Sequence, residues 1–133
     1  MTKGEKLAVL DSLAEATQTG DLEMMARFVA PNLVVHEDGG MPYGGVYHGF
    51  AGFLEMIGKI VGTVKDMNIE RLQVFDGEGD DIAVKIRFTG TSIETGAPFD
   101  ASTCEIYTLI DGKLAELWLW YWDTPAIRKS LQI

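Results

Sequence analysis

"EIYTLIDGKLAELWLWYW", residues 105–122, carries the clearest turn in the chain. Asp111-Gly112 stands between two runs of β-branched, aromatic and aliphatic residues, the pattern of a hairpin closed by a two-residue turn. Strands at about 98–110 and 113–123 follow from it. In the second of these, Leu117 and Leu119 alternate with Trp118, Trp120 and Trp122, so both faces are apolar and both require cover. In a single-layer sheet backed by helices, the far face is covered by a partner subunit or by a curved sheet closing on itself. The row predicts a homodimer packed through the sheet.

Upstream, Ile82, Val84, Ile86 and Phe88 alternate with Ala83, Lys85, Arg87 and Thr89, which makes 81–92 a strand with one wetter face. Another strand, about 67–75, is joined to it through Asp76-Gly77-Glu78-Gly79. The first half has a helical period. Leu7, Leu10, Leu13, Ala14 and Thr17 stop at Gly20; Asp21 caps a second helix with an inner stripe of Leu22, Met25, Ala26 and Val29, and Pro31 forbids its continuation. Residues 33–37 read as a short strand, and Phe50, Phe53, Leu54, Ile57, Ile60 and Val61 as a third helix ending near Gly62. A short terminal helix begins near Pro125, capped by Asp123. Three helices followed by hairpin-linked strands give an α+β fold with an antiparallel sheet and the helices on one face.

The chain is 133 residues long and reads as one domain over 1–133, with no repeat or linker. Twenty acids against eleven Lys and Arg give a net charge of -9, which argues against nucleic acid and anionic lipid as partners. No stretch has the length of a membrane span or the apolar centre of a signal peptide, and one cysteine, Cys104, permits no internal disulfide; the expectation is a cytoplasmic protein. His36, Glu37 and His48 fall short of a metal-ligand pattern, and no phosphate or dinucleotide fingerprint is present. Chemistry without metal or cofactor is implied.

Between the first strand and the third helix lies "HEDGGMPYGGVYHG", residues 36–49, with five glycines, two histidines, two tyrosines and two acids. The glycines suit backbone of positive φ, Pro42 stiffens the loop, and a loop of this length suits a binding role. Together with "GDLEMMARFVAPNLVVHE" before it and "TGAPFDASTCEIYTLIDGKLAELWLWYWDT" after it, this order of elements resembles the SnoaL-like group of the nuclear transport factor 2-like superfamily over nearly the whole chain. The resemblance implies a strongly curved sheet wrapped around the helices as a cone, an apolar internal pocket and a dimer through the sheet. The superfamily's fold hosts isomerases, polyketide cyclases, epoxide hydrolases, dehydratases and non-catalytic modules.

Proteins of this group carry a polar residue at the end of the first strand, where this chain has His36 and Glu37. Aligned with the ketosteroid isomerases, Glu37 takes the place of the general base, but residues 1–42 contain no tyrosine to match the helix-borne one of those enzymes. No Asp-Arg-Asp relay of the epoxide hydrolase type is matched, although Arg87 could approach Glu105 or Glu116. Strand alternation lets only one of His36 and Glu37 point inward: a carboxylate there would have its pKa raised toward neutrality, and an imidazole would need no shift. The plain alternative is a hydrogen-bonded residue at a strand end beside a solvated one.

For substrate contact the candidates are Met41, Tyr43, Tyr47 and His48 as a rim over the pocket mouth, Phe53 on the third helix, and Trp118 and Trp120 as a flat wall. The tryptophans serve a dimer interface equally well if they face outward. Asp100, Glu105 and Asp123 are strand acids that could face inward, with Asp100 as a second acid of the pocket. The expectation is a cofactor-independent acid/base enzyme, an isomerase, cyclase or hydratase acting on a small, largely apolar carbonyl compound. The rival is a binding or dimerisation module of the same fold.

Overall fold

The computed structural model describes residues 1–133. Helix α1 (Lys3–Thr19) opens on a capping box: the Thr2 hydroxyl accepts from the Glu5 amide at 3.1 Å, and the Glu5 carboxylate accepts from the Thr2 amide at 2.9 Å. It ends on Gly20 at φ 71°. Lys6 on its inner side is 1% exposed, and its ammonium donates to Asp76 Oδ1 at 2.8 Å and to the carbonyls of Gly77 and Asp81 at 3.1 and 2.9 Å. Helix α2 (Leu22–Arg27), capped by Asp21, stops before Val29, which the helical stripe had included. Val29 instead opens strand β1 (Val29–Glu37), and Pro31 sits within a break in the strand register between Val29 and Val34, where a missing N–H costs no ladder bond.

Six of the fourteen residues of the supposed loop are strand. β2 (Gly45–His48) pairs antiparallel with β1, from Val34 opposite His48 to Glu37 opposite Gly45. Helix α3 (Gly49–Val61) follows, and then β3 (Val64–Asp76), β4 (Asp81–Ser92), β5 (Pro98–Ile110) and β6 (Lys113–Tyr121) form a meander. The hairpin at Asp111-Gly112 forms as expected, with φ of 53° and 74° at its two residues. Helix α4 (Thr124–Leu131) closes the chain, the Asp123 carboxylate accepting from the Ala126 amide at 3.3 Å.

The six strands run in the order β2-β1-β6-β5-β4-β3 in a curved sheet that does not close on itself. One expectation needs correction: the sheet is mixed, because β1 lies parallel to β6 while every other neighbouring pair is antiparallel. Hairpin signals announce neighbours in sequence, and this pairing joins strands far apart along the chain. Helices α1 and α3 fill the concave side, where Leu10, Leu13, Phe53 and Met56 pack on Val35, Val84 and Leu117. A second, smaller core of Met41, Tyr43, Phe88, Phe99, Ile127 and Leu131 lies under α4.

Candidate active site

At the end of β1 the alternation of the strand decides between the two proton-handling residues. Val35 and Glu37 point into the concave side and are 0% and 5% exposed. His36 points out: its Nε2 lies 3.0 Å from Glu116 Oε2, and its ring stacks on Trp118 at a centroid distance of 3.6 Å. The strand register continues this geometry across the sheet. His36 pairs with Trp118 and Glu105 with Leu119, so Leu119 stands between Glu37 and Glu105, and all three side chains share the inner face.

The inner face and the helices enclose a cavity of about 310 Å³. Its wall is mostly aliphatic, with Leu10 and Leu13 from α1, Phe53 and Met56 from α3, and Leu117 and Leu119 from β6. Four lining residues other than tyrosine are polar: Thr17, Gln18, Arg71 and Glu105. The Thr17 hydroxyl is spent on the carbonyl of Leu13 in its own helix. Glu105 is the only carboxyl on the wall, and the neighbouring Tyr107 hydroxyl donates to its Oε2.

Burial sets the electrostatics. Glu37 is pushed up from 4.5 to about 8, first by loss of solvent and then by the charge of Glu105, against a weak contribution from the Asp38 amide at 3.3 Å. Its other oxygen, Oε2, is buried with no hydrogen-bond partner. Burial raises Glu105 as well, opposed by Tyr107 and by the nearby Thr103 hydroxyl, which forms no well-aligned bond. The phenols around them are raised too: Tyr107 by burial and the charge of Glu105, Tyr43 and Tyr121 chiefly by burial. The hydroxyls of Tyr43 and Tyr121 meet at 2.7 Å. Two carboxyls and three phenols thus lie between the cavity and the second core.

The other candidates are scattered by the fold. Met41 and Tyr43 are buried in the second core and form no rim over the cavity. The loop holding them is pinned: Asp38 accepts from the amides of Gly40 at 2.9 Å and Tyr121 at 3.2 Å, and Arg128 donates to the Gly40 carbonyl at 2.7 Å. Two of its glycines serve close approach instead of positive φ, since a Cβ would lie 2.4 Å from the Thr124 methyl at Gly40 and 2.3 Å from the Asp38 carbonyl oxygen at Gly44. Tyr47 is buried beside α3, its hydroxyl donating to the Tyr43 carbonyl at 2.8 Å, and His48 is exposed at the helix start without a side-chain cap bond. Phe53 does line the cavity.

Asp100 and the tryptophans require the same kind of correction. Asp100 is exposed and held by Arg87 through two bonds of 3.2 and 2.9 Å. Trp118 and Trp120 stand on the outer face, stacked at 5.5 Å, because the leucines between them take the inner one. A shallow groove of about 440 Å³ beside Trp120, Trp122, Lys85 and Cys104 opens on that outer side, away from both inner carboxyls. Glu105 and Tyr107 were legible only through register: with the Asp111-Gly112 turn fixed and Leu117 and Leu119 inside, both follow by pairing. No group of three or more His, Cys, Asp or Glu is arranged to hold a metal ion, and no helix is long and apolar enough to cross a membrane.

Residues 10–117 match the family model of the SnoaL-like domain. The chain belongs to the SnoaL-like family. No curated protein sequence matches it. Among solved structures, this SnoaL-like chain is similar to a nuclear transport factor 2-like protein from Burkholderia xenovorans LB400, with 19% identity, 98% of each chain covered and a TM-score of 0.84. It is similar to wild-type IdmH from Streptomyces antibioticus, a proposed polyketide cyclase, with 26% identity, 96% of this chain and 99% of that one covered and a TM-score of 0.76. TerC, co-crystallised with polyporic acid, shares 19% identity over 97% of this chain and 99% of its own, with a TM-score of 0.83.

Proposed function

We propose that this SnoaL-like protein is a cofactor-independent acid/base enzyme that moves a proton to or from a carbon next to a carbonyl in a small, largely apolar substrate. The observation that carries this reading is the pair of inward carboxyls, Glu105 on the wall of the aliphatic cavity and Glu37 behind Leu119 with an unpartnered buried oxygen. Burial raises both carboxyls and the charge of Glu105 raises Glu37 further, so Glu37 holds its proton near neutrality and Glu105, the carboxyl that faces the cavity, is the one placed to exchange a proton with substrate. Glu105 takes the proton, Tyr107 steadies its carboxylate, and Glu37 tunes the pair. An isomerisation, cyclisation or hydration fits this machinery, and the likeness to a proposed polyketide cyclase supports the substrate class.

Glu105→Gln should lower turnover of an identified substrate by roughly two to four orders of magnitude, the usual worth of a positioned acid/base group. Glu37→Gln should lower it less and shift the pH profile. Wild-type turnover in both variants would sink the assignment. A non-catalytic binding module is the second reading, favoured by the position of Glu37 behind Leu119 and off the cavity wall. Ligand binding without any turnover would select it.

We also propose that a second copy of the chain covers the outer face of the sheet, where Trp118, Trp120 and Trp122 are 38%, 46% and 79% exposed beside Phe75. Light scattering should give twice the 14.6 kDa chain mass at micromolar concentration, and a monomer would refute this arrangement.

A further inference from the structure

Arg71, on β3, is the one cation among the residues lining the cavity. Its guanidinium has five donors, and one of them is used: Nη2 donates to Asp11 Oδ1 on α1 at 2.7 Å. The side chains of Arg71 and Asp11 are 35% and 62% exposed, so the pair is wet, and such pairs are held weakly enough to exchange partners. The charge of Arg71 reaches the Tyr107 hydroxyl, where it opposes the effect of burial. Arginine and the Glu105–Tyr107 couple therefore share one wall, the first wet and the second deep.

We infer that the ligand of this cavity carries a carboxylate that docks on Arg71 in place of Asp11, with its apolar body along the aliphatic wall and its reactive carbon toward Glu105. The inference rests on the acid/base reading for the reactive end only. A planar fork that offers several free N–H groups binds a carboxylate by two parallel bonds, which a lysine cannot do. The remaining wall offers an anion no second positive charge, and a chain with a net charge of -9 repels one except where a cation is placed for it. Spacing sets the length of the ligand. Arg71 pairs with Ile86, Ile86 with Thr103, and Glu105 stands two residues beyond Thr103 on the same face. Two strand spacings and two residue rises put the two backbones about 12 Å apart, an upper bound on the span between acid and reactive carbon because both side chains reach into the cavity.

The test is a fluorescence titration of the full chain with anthracene-2-carboxylic acid and anthracene-2-carboxamide, which differ in charge and not in body. The acid should bind about tenfold more tightly than the amide at neutral pH and low salt. Arg71→Met should erase that preference, Arg71→Lys should keep part of it, and Asp11→Asn should increase it by removing the competing carboxylate. The readout is binding, so the result is read independently of turnover. Equal binding of acid and amide to the wild type, or an undiminished preference in a folded Arg71→Met variant, would overturn the role of Arg71 and leave the acid/base reading standing. Failure of both probes to bind at all would overturn the inference and the cavity reading together.

Discussion

Lys6 and Glu37 are both removed from water, at 1% and 5% exposure, and the fold surrounds them differently. The Lys6 ammonium has an acceptor for each of its three donors, all in the turn between β3 and β4. The Glu37 carboxyl has one weak donor, a second carboxyl for company and a bare oxygen. A buried ion with every bond made anchors one element to another, here α1 to the β3–β4 turn. A buried ion left short of bonds is costly to keep charged, and that cost makes its proton available for chemistry near neutral pH.

The comparison can be broken first at Glu37, where the effect on stability is largest. The folded form keeps its proton up to about pH 8, whereas at its ordinary value of 4.5 the unfolded chain releases it. The contribution of this group is therefore fully present below pH 4.5 and is lost as pH rises toward 8, at up to about 1.4 kcal/mol per pH unit. Glu37→Gln should flatten that slope and leave the variant more stable than wild type at pH 8, as read by urea unfolding across the range. A wild type with no fall in stability between these pH values would show that Glu37 is as well satisfied as Lys6.

Lys6→Met should act in the opposite direction at every pH. It strands a carboxylate and two carbonyls and should cost about 2 to 4 kcal/mol in the same unfolding experiment, with no change in ligand affinity. Asp76→Asn leaves both carbonyl acceptors in place, and the Asp76 side chain is 43% exposed. Its cost should stay below about 1 kcal/mol. A ligand affinity that followed Lys6→Met would mean that the clasp also shapes the cavity.

The elements were legible because their signals are local. Gly20, Asp21 and Asp123 mark helix ends through caps that involve residues three or four apart, and Asp111-Gly112 marks the hairpin through two φ angles. What escaped was set at long range. Whether His36 or Glu37 faces inward depends on β1 meeting β6 in parallel, and neither strand announces the other. The tryptophans misled for a related reason: a wall of large aromatics reads as a binding surface, yet a cavity needs room, and Leu117 and Leu119 leave it where indoles would fill it. Glu105 lay in plain view on a confidently read strand, but its face became known only with its partner Leu119.

The parallel pairing of β1 with β6 also sets an order of events during synthesis. Strand β1 emerges early, and its partner is made only after a further stretch of about eighty residues. The β3–β6 meander can form from neighbouring hairpins, so local closure favours it as the first sheet, with β1 docking afterwards. Until that docking, the edge of β6 stands open along "LWLWYW", the kind of apolar edge that invites pairing with another chain. Glu37 arrives with β1, so a chain folded only through the meander holds Glu105 without its carboxyl neighbour.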